Sequence, residues 1–158
     1  MSNDAQPNEA LLTDLKLRLV DSRALSIYRA KRTEKREVLG GRSIRTRDFA
    51  PVADRDNLAQ AVIMRLLTPR GELTALAHPD YGSRLPELIG TQRTETTRNL
   101  AKLYVIEALK QEQRIAEIVQ VTVSDQPGDR FRINIFIQIK PINDSRIIDL
   151  GPFTLDLG

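Results

Sequence analysis

Cysteine is absent from the chain, so it can build no disulfide framework, no thiolate chemistry and no cysteine-based metal site. Tryptophan is absent too, and aromatic residues make up only 4%. That argues against sugar or single-stranded nucleic-acid sites resting on stacked aromatic platforms. The single histidine, His78, rules out a histidine-rich metal centre and leaves only carboxylate-led coordination conceivable. No cofactor and no metal is expected. No apolar run approaches the roughly 18 residues a membrane-spanning helix needs. The opening "MSNDAQPNEA" also lacks the basic and apolar regions of a signal peptide. The expectation is a chain without a membrane span that stays in the compartment where it is made, the cytoplasm, unless a larger assembly carries it out.

What remains is a chain of 158 residues, long enough for one domain with a real core, with a formal net charge of +3. The charge is unevenly spread. Arg23, Arg29, Lys31, Arg32, Lys35, Arg36, Arg42, Arg45 and Arg47 are opposed within that stretch only by Glu34 and Glu37. Such a stripe suits an acidic protein surface, phosphates, or simply solvent. No base-reading motif accompanies it, so nucleic acid is not the expected partner.

Patterning divides the chain into a disordered tail at 1–10, a basic extension at 11–56 and a domain at 57–158. "DLKLRLVD" alternates like a short strand, whereas "RALSIYRAKRTEKREVL" has helical composition and stops at Gly40-Gly41. Residues 42–56 read as irregular. Asn57 followed by Gln60 resembles a capping box, and Leu58, Ala61, Val62 and Leu66 then recur at helical spacing until Pro69 and Gly71 break the run. A second helix is expected over about 94–111, with Leu100, Leu103, Tyr104 and Ala108 as its buried stripe and Ala101, Val105 and Leu109 widening it. "IAEIVQVTVS" places Val119, Val121 and Val123 on one face of a strand. After the turn "DQPGD", "RFRINIFIQIK" aligns Phe131, Ile133, Ile135, Ile137 and Ile139. "RIIDLGPFTLDLG" adds a last extended stretch broken at Gly151-Pro152. The fold class expected is α+β: a compact domain of two main helices on a C-terminal antiparallel sheet.

The segment "RLLTPRGELTALAHPDYGSRLPELIG" gathers polar side chains among prolines and glycines. As chemistry, Glu72, Asp80 and Glu87 could supply the two carboxylates of a glycosidase, Glu72 and Asp80 being the pair for a peptidoglycan hydrolase, provided an apolar pocket kept one of them protonated. Ser83, His78 and Asp80 lie too close together on a broken loop, without a nucleophile elbow, to make a triad. As structure, the same residues make a stiff corner: proline fixes φ, glycine permits φ > 0, and Tyr81 and Leu85 can pack beneath it. The second account covers more of the residues. No catalytic residue is assigned, and the chain is not expected to be an enzyme.

Three stretches, "NLAQAVIMRLLTPRGEL", "HPDYGSRLPELIG" and "TTRNLAKLYVIEALKQEQRIAEI", resemble in order and register the small baseplate-wedge proteins of contractile phage tails. Relatives of that family occur in extracellular contractile injection systems and type VI secretion baseplates. The resemblance covers roughly 57–157. It implies a compact α+β domain, present in multiple copies in a ring-like assembly, that initiates the sheath where the baseplate meets the first sheath ring. The implied partners are sheath subunits and the helical core bundle of the wedge, with tube or hub proteins as further neighbours. The family's Glu-Pro-Arg motif is implied to grip the wedge; here it reads "EQR", so Glu112 and Arg114 are the candidate wedge contacts and Gln113 replaces the proline. Strand addition to the sheet is implied to hold the sheath. The candidate contacts there are Arg132, Asn134, Phe136, Gln138, Ile147, Ile148, Phe153 and Leu155. The family has also carried the label lysozyme, which nothing in the sequence independently supports.

Overall fold

The computed structural model describes the backbone of residues 13–15, 17–20, 27–30, 32–39, 42–49 and 51–54, and backbone and side chains from Arg55 to Gly158. The tail expected at 1–10 lies outside the described residues, as do the side chains of the basic stretch. The chain divides into two compact units, residues 1–60 and 61–158.

In the first unit every strand pairs with one partner, antiparallel. Strand β1 (Thr13–Leu15) pairs with β6 (Pro51–Ala53), β2 (Leu17–Val20) with β3 (Ile27–Ala30), and β4 (Arg32–Leu39) with β5 (Arg42–Phe49). The stretch "DLKLRLVD", expected as one strand, is extended in its described part but divides between the end of β1 and β2, which pair with different partners. The helix expected over "RALSIYRAKRTEKREVL" is not formed: its described part forms β3 and β4, and the stretch read as irregular forms β5, β6 and the start of a helix. The physical reason lies in the pairing. Leu39 stands opposite Arg42 in the β4–β5 register, and a Gly-Gly pair between two runs reads in sequence as a hairpin signal as readily as a helix breaker. Long charged residues carry little information that separates helix from exposed strand, and a cross-strand partner decides.

Helix α1 runs Asp54–Leu67. Leu58, Val62 and Leu66 follow one another at i, i+4 spacing and are buried. Asn57 is buried and lies a turn inside the helix rather than capping it, because the helix already begins at Asp54. The far end is closed tightly. The N–H and the hydroxyl of Thr68 both donate to the Met64 carbonyl, the hydroxyl at 2.8 Å, and Pro69 has no N–H with which to continue.

From there the chain makes the corner, which contains two single 3₁₀ turns, Thr74–Leu76 and Leu85–Leu88. The corner folds back onto the end of α1. Ser83 N–H donates to the Thr68 carbonyl at 2.8 Å, its hydroxyl donates to the Leu66 carbonyl at 2.6 Å, and Arg70 N–H donates to the Ser83 carbonyl at 2.9 Å. These bonds satisfy carbonyls that the helix end would otherwise leave open. Gly82 makes the approach possible: its φ is +108°, and a Cβ there would sit 2.6 Å from the Thr68 carbonyl oxygen.

Helix α2 (Glu95–Lys110) starts at Thr94, whose hydroxyl accepts from Thr97 N–H at 3.1 Å. Glu95 in the first turn and Lys110 in the last complement the helix dipole. Its buried face is Thr97, Ala101, Tyr104, Val105, Ala108 and Leu109. The expected stripe was therefore rotated. Leu103 is 55% exposed and Leu100 half-buried, because Ala101 and Val105, assigned to the margin, lie at the centre of the packed face.

The sheet that follows is antiparallel in the order β7-β8-β9, with β7 Ile115–Asp125, β8 Arg132–Pro141 and β9 Ile148–Asp156. Ile133, Ile135, Ile137 and Ile139 of β8 form the buried face, joined by Val121 from β7 and Ile148 and Leu150 from β9. Two expectations fail locally. Val119 is exposed because the register with β8 jumps between Ile118 and Gln120, leaving Val119 as a bulge residue outside the alternation. Phe131 lies before β8 begins and is 58% exposed. The break expected at Gly151-Pro152 is a bulge within a continuous β9, where the register shifts between Ile135 and Ile137. The fold class is α+β, as the patterning indicates.

Candidate functional site

The tight turn from α2 into β7 builds a charged cluster. Glu112 N–H donates to the Leu109 carbonyl at 3.0 Å and Ile115 N–H to the Glu112 carbonyl at 3.1 Å, so Glu112 and Arg114 are held side by side. Arg114 meets Glu112 with its fork: Nε to Oε1 at 2.8 Å and Nη2 to Oε2 at 3.1 Å, with the Arg114 backbone N–H adding a contact to Oε1 at 3.3 Å. From α1 comes a second guanidinium, with Arg65 Nη2 at 3.6 Å from Glu112 Oε2. Arg65 also lies over the Tyr81 ring, 4.5 Å from its centre. The three charged side chains are only 9%, 12% and 17% exposed for Glu112, Arg65 and Arg114.

Burial would push the Glu112 carboxyl up, but the hydrogen bonds and charge of Arg114, with the charge of Arg65, outweigh it and hold the group below the ordinary glutamate range. Burial raises the Tyr81 phenol, with Arg65 opposing. The cluster thus carries two cations for one carboxylate, and Arg65 Nε is buried without a hydrogen-bond partner. Sequence reading found Glu112 and Arg114 but missed Arg65 and Tyr81. Only the folding of α1 and the corner against the turn brings those two into place, and no local motif marks them.

The corner places its polar residues apart from this cluster. Asp80 is 78% exposed and accepts from Arg70 Nη2 at 3.0 Å, while Arg70 Nη1 reaches Glu107 of α2 at 2.6 Å. Glu72 and His78 are exposed, and the buried Ser83 hydroxyl is committed to the Leu66 carbonyl. Arg84 pairs with Glu87 at 2.8 Å and lies over Tyr104 of α2, 4.4 Å from the ring centre. These contacts fasten the corner to α2.

On the sheet, the candidate sheath contacts separate by face. Arg132, Asn134, Phe136 and Gln138 alternate with the buried isoleucines and so lie on the outer face. That face is laced by polar pairs: Arg132 with Asp156 at 3.1 Å, Gln138 with Asp149 at 2.7 Å and Thr154 with Asn134 at 3.1 Å. Ile147 is exposed. Ile148 is buried opposite Ile139, and Phe153 and Leu155 stand opposite Ile135 and Ile133, half-buried on the core side. Ile148 is accordingly a core residue rather than a contact surface. Because β8 is central, only β7 and β9 have an edge at which a further strand can pair.

No protein-family model matches the chain, and no curated protein matches it. Among solved structures it is similar to a crystal structure at 1.44 Å described as a "putative tail lysozyme" from Geobacter sulfurreducens. The two are 27% identical with a TM-score of 0.56, over 65% of this chain and 89% of that one. This likeness suggests a phage-tail-related family.

Proposed function

We propose that the chain is a structural component of the baseplate of a phage tail or contractile injection particle. It links the wedge to the first sheath ring and starts the sheath by accepting strands at the edge of its β7-β8-β9 sheet. The observation that supports this reading is a sheet whose central strand supplies the core while its two edge strands pair with no further strand among the described residues, in a chain similar to a protein described as a tail lysozyme. The Glu112–Arg114 turn, stiffened by Arg65, is the wedge contact. The internal Glu112 fork replaces the rigidity that proline gives the family motif.

The chain is not an enzyme in this reading. A general acid needs an apolar pocket, whereas Asp80 is exposed and takes its hydrogen bond from Arg70. The name of the neighbour still makes wall hydrolysis the rival worth testing. Electron microscopy of particles from cells lacking the gene is expected to show tubes without sheath or no tails at all. Sheathed, full-length tails would refute the proposal. Clearing of cell walls by the purified chain, abolished by Glu72→Gln, would establish the hydrolase instead. Removing everything after Asp144 is no substitute for these tests, because β9 supplies Ile148 and Leu150 to the core.

A further inference from the structure

The two sheet edges differ in what they can offer an incoming strand. In β9 the bulge at Gly151-Pro152 interrupts the register, and Pro152 has no N–H to give. In β7 the bulges fall early, and from Gln120 to Asp125 the strand pairs with β8 without interruption.

The phase of the ladder follows from its ends. Gln126 N–H donates to the Arg132 carbonyl at 3.1 Å, and Leu157 N–H to the Phe131 carbonyl at 2.7 Å. Antiparallel pairs alternate between bonded and non-bonded. Asn134 and Phe136 of β8 therefore bond to Ser124 and Thr122 of β7, while Ile133 and Ile135 bond to β9. The N–H and C=O groups of Val121 and Val123 consequently point away from β8. In β9 the outward groups are those of Asp149 before the bulge and of Thr154 and Asp156 after it.

Alongside that open stretch of β7 lies a groove of about 580 Å³, closed on its far side by Asn99, Lys102 and Ile106 of α2. One end is shut by Arg98, which reaches Asp125 at 2.9 Å. Glu95 and Lys102 line the groove without an ion-pair partner among the described residues. Seven positions apart on a helix, they stand about 10 Å apart along its axis, the length of about three strand residues.

We infer that the strand added to this sheet docks on β7 in the groove against α2, not on β9. The occupant is an extended segment of a sheath subunit. It carries a carboxylate toward Lys102, a cation toward Glu95 and apolar side chains toward Val121 and, a turn beyond Lys102, toward Ile106. This rests on the strand-addition reading above and names its acceptor.

The test is a matched pair of full-length variants in the particle-producing cell. Val123→Pro removes an outward N–H of β7 that the internal ladder does not use; Thr154→Pro does the same at β9. Val123→Pro is expected to lower the yield of sheathed tails about tenfold or more, the effect of one lost hydrogen bond per joint plus its blocked neighbour. Thr154→Pro is expected to leave the yield within about twofold of wild type. The reverse pattern overturns the choice of β7 and leaves strand addition standing. Normal yields from both variants, with the proteins incorporated, overturn strand addition itself. If Val123→Pro does not fold, hydrogen exchange on wild-type protein decides. The Val121 and Val123 amides are expected to exchange about tenfold more slowly in the assembled particle than in the free chain, with Thr154 unchanged. Equal exchange of Val121 and Val123 in the two states overturns the inference.

Discussion

Replacing Glu112 with alanine tests the charged turn most directly. The substitution removes the carboxylate shared by Arg65 and Arg114, which are 12% and 17% exposed and so cannot fully recover hydration. Removing one partner of a buried pair costs about 3–5 kcal/mol. The residual exposure of both guanidiniums places the expected loss at the lower end, about 3 kcal/mol. Arg114→Ala leaves Glu112 with Arg65 at 3.6 Å, so the expected loss is smaller, about 1–2 kcal/mol, and the fold is kept. Urea unfolding at neutral pH, read as a shift in midpoint at constant slope, measures both. The acid dependence supplies a second reading. Because the folded-state pKa of Glu112 is depressed, its contribution is fully present above the unfolded value of about 4.3 and is lost as pH falls through the folded value. Wild type and Glu112→Gln should therefore converge in stability only below about pH 4. A Glu112→Ala protein within about 0.5 kcal/mol of wild type at neutral pH would refute the assignment of a buried charge balance to this turn.

Two further perturbations address the frame around it. Gly82→Ala should destabilise the protein by about 2–3 kcal/mol, since the new Cβ meets the Thr68 carbonyl and φ is positive; thermal unfolding without a shift would contradict the geometry. Leu103→Ser should change stability by no more than about 0.5 kcal/mol because the side chain is exposed; a core-sized loss in urea unfolding would restore the stripe read from the sequence.

How much could be read in advance depended on whether a signal was local. The isoleucines of β8 declare both strand and inner face, because a period of two needs no knowledge of the rest of the chain. Thr94 and the Pro69-Gly71 break likewise bounded the helices to within a residue or two. Val119 misled because a bulge is a property of two strands, and Leu103 because two leucines on a helix outweigh an alanine until the neighbouring layer is known. The charged stretch 32–39 misled for a third reason: its pairing partner, 42–49, carries no strand pattern of its own. The candidate site divides the same way. Glu112 and Arg114 stand two positions apart in one short motif and are named through the resemblance, whereas Arg65 and Tyr81 reach them only through the fold. Among the proposed strand contacts, Ile148, Phe153 and Leu155 share the core side because the β9 bulge shifts the alternation between Leu150 and Phe153, which the sequence pattern does not show.

The junction of Ser83 with Leu66 and Thr68 means that the corner cannot loosen as an independent flap. Swinging it outward would strip the carbonyls at the end of α1 of their donors and, through Arg70 and Arg84, pull on α2 as well. Stretches that look like a protease-sensitive hinge on paper should therefore yield only when the helices beneath them unravel, so a partner seizing this knuckle would grip the whole unit and transmit force through it.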